Sequence, residues 1–271
     1  MGKSMRERKY KSQKLKFHPT YYILALGFIL SGYYLNFITF TTLIIIHEFG
    51  HVLAAILCKV KVKQIIIYPY GGKTIIETYL NRCIHQEIFI ASFGVITQFF
   101  FYLILNKLYQ FCLIREYTMN LFTLYNSQII FFNLLPIYPL DGGKILSSCL
   151  NLFIPYQQAN HLTILISLLN IFSISIMHIY KYNYSNIMIF LLLAYYLYQF
   201  YQKRKILYHK FLLERYLYQI KFPKIKIVKD IHHFYLNKSH ILKKEDKFLE
   251  ERKVLNDFFN YDVKLSKDID K

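Results

Sequence analysis

Long apolar runs constrain the fold of this chain more than any other feature. Six of them approach or exceed the roughly 18–20 residues that a helix needs to cross hydrocarbon. The chain of 271 residues is 55% hydrophobic, and its mean hydropathy of +0.24 is too apolar for an ordinary soluble domain. We therefore predict an all-α polytopic membrane protein with about six transmembrane helices, at residues 20–36, 37–58, 86–110, 119–141, 160–179 and 185–201.

The distribution of positive charge predicts the orientation in the membrane. Of the 34 lysine and arginine residues, 31 lie in segments that a six-span arrangement places on one side, and the other three are Lys107, Arg115 and Lys181. The positive-inside rule assigns the richer side to the cytoplasm. We therefore expect a multi-pass cell-membrane protein with both termini cytoplasmic. The net charge of +18 favours attraction to anionic lipid over direct nucleic-acid binding.

Composition divides the chain into three segments. Residues 1–17 form a basic cytoplasmic arm, residues 18–201 the membrane core, and residues 202–271 a short basic cytoplasmic tail. The tail, with about 70 residues, has room for one small domain. Within the core, residues 60–80 contain two β-like stretches around a turn with two glycines, which predicts a small β-hairpin or sheet near the cytoplasmic face. Its edge could accept an extended substrate by strand addition; the alternative is a plain connecting loop.

A polar motif interrupts the second apolar run. The sequence His47-Glu48-Phe49-Gly50-His51 lies within residues 37–58, at a depth where an ionisable side chain is by default a functional hypothesis. Positions i and i+4 share one helix face, so His47 and His51 can bind one metal ion. Glu48 projects beside that ion, where a general base belongs. The motif predicts an intramembrane zinc protease site.

Such a helix needs a third protein ligand, and the acidic residues suggest one. Only Glu48 and Asp141 lie in or at the end of an apolar span, and the predicted topology places both near the cytoplasmic face. Two prolines precede Asp141 and two glycines follow it, which breaks the helix there. Asn133 lies about two turns upstream. The alternatives are a turn role for Asp141, or a plain hydrogen bond between it and one of the histidines. Asn133 could simply pack helices.

The pair of motifs, HEFGH and N-x-x-P-x-x-P-L-D-G, resembles the site-2 protease family of intramembrane zinc metalloproteases. It is most similar to the branch that processes a sporulation pro-sigma factor. The resemblance implies that His47, His51 and Asp141 bind one Zn²⁺ per chain, that Glu48 is catalytic, and that Asn133 assists at the substrate or transition state. It also implies regulatory membrane proteins as partners. A CBS-like, ATP-binding unit in the tail is a further implication.

One motif of that family is incomplete here. Its third span often contains an A-G-P-x-x-N-like sequence, whereas residues 93–98 retain only Gly94 and place Gln98 where the amide is expected. Three functions compete: a sporulation-type processing protease, a site-2 protease acting on an anti-sigma factor, remnant signal peptide or pheromone precursor, and a non-proteolytic metal-binding transporter or channel. The last would need polar residues lining a path across several spans, and the other spans offer almost none.

Overall fold

The computed structural model describes residues 14–69, 71–77, 80–180, 187–220, 222–244 and 247–269. The fold is mostly helical with two small sheets, which confirms the predicted fold class at that level. Its helices are α1 Pro19–Leu30, α2 Tyr34–Leu57, α3 Ile84–Gln110, α4 Glu116–Leu134, α5 Asp141–Phe153, α6 Tyr156–Tyr180, α7 Ile187–Tyr218 and α8 Glu251–Ile269. Its strands are β1 Lys14–Phe17, β2 Val62–Tyr68, β3 Gly71–Ile76, β4 Ile225–Val228, β5 Ser239–Lys244 and β6 Lys247–Glu250.

Three helices among the described residues are long and apolar enough to cross a membrane. They are Tyr34–Leu57, Ile84–Gln110 and the Tyr156–Met177 part of α6. These helices coincide with the predicted spans at 37–58, 86–110 and 160–179. The first predicted span, at 20–36, contains a shorter apolar helix, Pro19–Leu30. The chain therefore has the helices of a membrane protein.

The chain divides into two compact units, of which the first comprises residues 1–77 and 93–130. It contains the first sheet, in the order β1-β2-β3. Strands β2 and β3 pair antiparallel as a hairpin, as the sequence predicts for residues 60–80. Strand β1 adds to β2 in parallel, so the last four residues of the predicted basic arm are a strand. The rest of that arm, residues 1–13, lies outside the described residues.

A close helix crossing fixes α2 within the first unit. A Cβ atom added to Gly50 would lie 2.5 Å from the carbonyl oxygen of Phe93 and 2.9 Å from the Cα atom of Gly94, both on α3. Real Cβ atoms essentially never approach so closely, so only glycine permits this contact. Gly50 therefore brings the backbones of α2 and α3 together inside the His-Glu-x-x-His motif itself. This short separation sets the surroundings of both histidines.

The second unit comprises residues 78–92 and 131–271, and it contains the helix break that the sequence predicts before Asp141, within the predicted span at 119–141. Helix α4 ends at Leu134, two residues before Pro136, and a new helix begins at Asp141. A proline disfavours helical conformation in the residue before it, which explains the break. Cβ atoms on Gly142 and Gly143 would each lie 2.5 Å from a backbone carbonyl oxygen of the preceding segment. The two glycines therefore permit close packing of α5 on that segment.

The basic tail is folded against the end of α7. Helix α7 continues through residue 202, where the composition changes, to Tyr218. Beyond it β4 pairs parallel with β5, and β5 pairs antiparallel with β6. A hydrophobic core unites α7, this sheet and α8, and it contains Phe211, Leu212, Phe234, Leu236 and Leu255. The tail thus belongs to a compact structure despite its many lysines.

A buried network of charged residues links the tail to α7. Arg215 donates hydrogen bonds to Asn81 Oδ1 at 2.9 Å and to Glu251 Oε1 at 2.7 Å. It also donates to the backbone carbonyls of Tyr235, Leu236 and Lys238. Burial raises the pKa of Glu251, but hydrogen bonds and charge from His240 and Arg215 outweigh it and hold that pKa below its ordinary value. Removing one member of such a buried pair typically costs about 3–5 kcal/mol.

Candidate active site

The His-Glu-x-x-His motif forms one turn of α2, and its three polar side chains are buried together. His47, Glu48 and His51 are each no more than 6% exposed, and the ligand atoms they offer lie within 4.8 Å of one another. The Nε2 atoms of His47 and His51 are 3.2 Å apart. Two ligands of a tetrahedral zinc ion are separated by about 3.3 Å when the Zn–N distance is about 2.05 Å. The pair therefore has the spacing that a shared metal ion requires.

Gln98 orients the first of these histidines. Its side chain is fully buried on α3, and its Oε1 atom lies 3.1 Å from His47 Nδ1. The Gln98 amide group donates to the backbone carbonyl of Asn126 at 3.5 Å, so Oε1 is the atom that accepts from His47. His47 therefore carries its proton on Nδ1, which leaves the Nε2 lone pair for a metal. Outer partners of this kind fix the tautomer of metal-binding histidines.

Replacing Gln98 with leucine should weaken metal binding without removing a ligand. The Nδ1 proton of His47 would lose its acceptor, so the tautomer and ring orientation would no longer be fixed. We expect zinc affinity to fall about 10–100-fold, measured by competition with a chromophoric chelator on the purified protein. Gln128→Leu is the matched control, because Gln128 is an exposed glutamine on α4. Equal zinc affinity in Gln98→Leu and wild type would contradict this role.

Gly94 provides the space in which the two imidazoles lie. A Cβ atom added there would be 2.6 Å from both Cε1 and Nε2 of His51 and 2.9 Å from Cε1 of His47. These distances are shorter than real Cβ contacts. A larger residue at position 94 would therefore collide with the two imidazoles, which explains why the third span retains this glycine of the family motif.

We expect Gly94→Ala to displace both histidines. The added methyl group cannot fit without moving the rings, so zinc affinity should fall at least tenfold while the helix itself persists, since alanine favours helix. Helical content by circular dichroism and zinc binding would be measured together. Gly27→Ala is the control, because nothing lies within 4 Å of a Cβ atom there. Normal zinc binding by Gly94→Ala would refute the steric explanation.

Glu48 lies between α2 and strand β3. The hydroxyl group of Thr74 donates a hydrogen bond to Glu48 Oε2 at 2.6 Å. Gly72 also packs on this side chain, because a Cβ atom there would overlap the Glu48 carboxylate. The hairpin therefore fixes one carboxylate oxygen of Glu48. An acceptor held beside two histidine nitrogens suits a group that takes a proton from water.

The structure brings together three of the five predicted site residues, and the other two belong to the second unit. Asp141 is the first residue of α5 and is buried. Its Oδ1 atom lies 2.8 Å from Lys144 Nζ, whose side chain is 51% exposed. Asn133 lies in the last turn of α4 and is partly buried. The roles of all five residues stay predictions.

Sequence reasoning missed the partners of the site more than the site itself. Gln98 stood out as an amide in an apolar span, but its bond to His47 could not be predicted without the α2–α3 crossing. Thr74 gave no signal, because a threonine in a β-strand is ordinary. Lys144 lies three residues after Asp141, a spacing at which helical side chains meet. Its pairing was therefore foreseeable once α5 was known to be a helix.

The described fold and site define a helical membrane protein with a cluster of buried histidine and glutamate side chains on an apolar helix. The profile of peptidase family M50 matches residues 35–115 and 112–174. The chain belongs to this family, which is that of the site-2 proteases. The predicted family resemblance is thereby confirmed.

Individual relatives support this membership. Stage IV sporulation protein FB of Bacillus subtilis (strain 168) is 31% identical over 205 residues, which cover 75% of this chain and 71% of that protein. A zinc metalloprotease of Methanocaldococcus jannaschii is 30% identical over 121 residues, 42% of this chain but only 34% of its own length. The solved site-2 protease from the same archaeon matches with a TM-score of 0.56 and 22% identity, covering 70% of this chain and 92% of that one. This last likeness shows a shared fold.

Proposed function

We propose that the chain is an intramembrane zinc metalloprotease that cleaves a membrane-associated protein precursor. The observation that carries the proposal is the convergence of two histidine Nε2 atoms, 3.2 Å apart, with Glu48 on one apolar helix, all three side chains being buried. Membership of peptidase family M50 supports the reaction class. A binding site without catalysis would need the two nitrogens but not the adjacent carboxylate.

His47, His51 and Asp141 would hold one zinc ion. Two neutral nitrogens and a carboxylate suit zinc, and three protein ligands leave one coordination position open. When bound, the ion would lower the pKa of its water molecule toward neutrality and polarise the scissile carbonyl. Glu48 takes a proton from the attacking water and delivers it to the leaving amide nitrogen. Asn133 would hydrogen-bond the substrate carbonyl as negative charge develops on its oxygen.

The hairpin beside Glu48 is our candidate for the substrate-binding edge. Strand β3 pairs with β2 and, like β1, is an edge strand of its sheet among the described residues. Its Thr74 contacts Glu48 directly. A peptide that paired with β3 would be extended, so its carbonyls would be accessible, whereas a helix hides them in internal hydrogen bonds. Substrate recognition and proton transfer would thus share one strand.

The similarity to a stage IV sporulation protein favours a sporulation pro-sigma factor as substrate. The alternatives in the same reaction class are an anti-sigma factor, a remnant signal peptide and a pheromone precursor. We further propose six transmembrane helices with both termini in the cytoplasm, and regulatory membrane proteins as partners. A CBS-like, ATP-binding role for residues 202–271 stays a prediction.

The test is cleavage by the purified full-length chain in liposomes. The chain would be reconstituted with each candidate precursor, and the new N-terminus of any product would be sequenced. We expect one defined cut that stops on zinc chelation and resumes on zinc addition. A metal-binding transporter would instead bind zinc stoichiometrically and leave every precursor intact. That outcome, in the presence of the cognate regulators, would overturn the proposal.

A further inference from the structure

A basic cavity lies in the second unit, in a region that the proposed protease site does not use. Its volume is about 370 Å³, within the range of small-molecule sites. It is a partly open cleft lined by the start of α6, the middle of α7, the short 3₁₀ helix Ile231–His233 and α8. The residues that matter here are Gln157, His161, Arg204, Lys205, His209 and His232.

The charge of the lining is one-sided. Arg204 and Lys205 are permanent cations, three histidines lie beside them, and none of the described residues that line the cavity is acidic. Neither Arg204 nor Lys205 has an ion pair within the described part of the chain. Among the described residues, one of the three histidines lies near an acid: His232 Nε2 is 3.8 Å from the carboxylate of Asp230. Both side chains are more than half exposed. Arg204 and Lys205 are therefore available to bind an anion.

Several of these side chains are already held in place. The Arg204 guanidinium lies 3.7 Å from the centre of the Tyr201 ring, a contact that orients the charge without neutralising it. The Gln157 side-chain oxygen accepts a hydrogen bond from His232 Nδ1 at 2.9 Å. His232 also stacks on Tyr208, and His209 on Phe258. An ordered lining of this kind lowers the entropy lost when a ligand binds.

A metal ion is a poorer occupant than an anion. The three imidazoles do not form a convergent cluster, since the one group of metal-binding character among the described residues is His47, Glu48 and His51. Arg204 and Lys205 would also repel a cation. Arginine binds phosphate oxygens through two parallel hydrogen bonds, and lysine adds a point charge.

Position along α7 indicates where such an anion could come from. Arg204 follows the end of the predicted span at residue 201 by three residues, which corresponds to about 4.5 Å along a helix axis. If α7 crosses the bilayer as proposed, the cavity lies at the depth of lipid head groups. We propose that this cavity binds the phosphate group of a phosphate-bearing ligand, supplied by an anionic phospholipid or by a soluble phosphate ester. Only the lipid source depends on the proposed membrane arrangement.

The experiment compares three forms of the full-length chain in an uncharged detergent: wild type, Arg204→Gln with Lys205→Gln, and Arg252→Gln with Lys253→Gln. The last is the matched control, because it removes the same two charges from exposed positions on α8. Native mass spectrometry would measure retained dioleoylphosphatidylglycerol against dioleoylphosphatidylcholine. Calorimetry would measure binding of glycerol 1-phosphate. A fourth form, Arg204→Lys with Lys205→Arg, preserves the charge.

We expect the first double variant to bind the phosphate probe at least tenfold more weakly than wild type. The control and the charge-preserving form should stay within about threefold. If the protein prefers phosphatidylglycerol and does not bind glycerol 1-phosphate, the ligand is a lipid. If it binds glycerol 1-phosphate tightly, the ligand is a soluble phosphate ester. An equal loss of affinity in the control would mean that binding reflects general electrostatic attraction. Equal affinity in wild type and the first double variant would mean that the cavity is not a binding site. Either result overturns the proposal. Both readouts are independent of proteolysis, so they stand apart from the protease proposal.

Discussion

Glu48→Gln should abolish cleavage while leaving zinc bound. Glutamine has nearly the shape of glutamate and can still accept the hydrogen bond from Thr74, which lies 2.6 Å away. It cannot take a proton from water. General-base catalysis contributes about 10²–10⁴-fold to rate, so we expect cleavage in liposomes to fall by at least about a hundredfold. Zinc content, measured by inductively coupled plasma mass spectrometry, should equal that of wild type because both histidines remain.

The matched control for this variant is Glu116→Gln. Glu116 begins α4 and is exposed, so it loses the same charge away from the motif. It should cleave at the wild-type rate. A cleavage rate of Glu48→Gln within threefold of the wild-type rate would show that Glu48 is not the general base. Loss of zinc along with activity would instead assign it a structural role at the metal.

The helical parts of the site were predictable because their geometry is local. His47 and His51 share a face of α2 through helix periodicity alone, and the structure places their nitrogens together. The hairpin of β2 and β3 was equally predictable from sequence, since its turn residues lie next to two β-like stretches. In both cases the decisive residues are separated by only a few positions. No knowledge of tertiary structure was needed.

The parts that the sequence did not predict depend on contacts between distant segments. Strand β1 consists of four residues in a lysine-rich stretch, and only its parallel pairing with β2, about fifty residues away, makes it a strand. Helix α5 follows two prolines and has two glycines directly after its first residue, a pattern that ordinarily indicates a turn. In the tail, Arg215 looked like one of 18 basic residues and is buried in a network. Composition counts charge, but it cannot show which charges are buried.

Asp141→Asn should remove zinc as well as activity. Asparagine preserves the size of the side chain but replaces a carboxylate with a neutral amide, which is a much weaker zinc ligand. We expect zinc affinity to fall at least tenfold and cleavage at least a thousandfold. Chelator competition and the liposome assay would measure the two quantities. This variant tests the ligand that sequence reasoning reached by elimination rather than by motif spacing.

The alternative role for Asp141 is visible in the structure, and Lys144→Met separates it from metal binding. Asp141 pairs with Lys144 in the first turn of α5, where a negative charge is favourable at a helix N-terminus. If this pairing were its only role, each variant should lose stability, because Asp141 is buried and only Lys144 is half-exposed, and both variants should retain zinc. If Asp141 is a ligand, Lys144→Met should retain zinc and cleave at a rate within fivefold of the wild-type rate. Asp141→Asn should lose both zinc and cleavage. Zinc retention by Asp141→Asn would therefore reject the three-ligand site while leaving His47 and His51 in place.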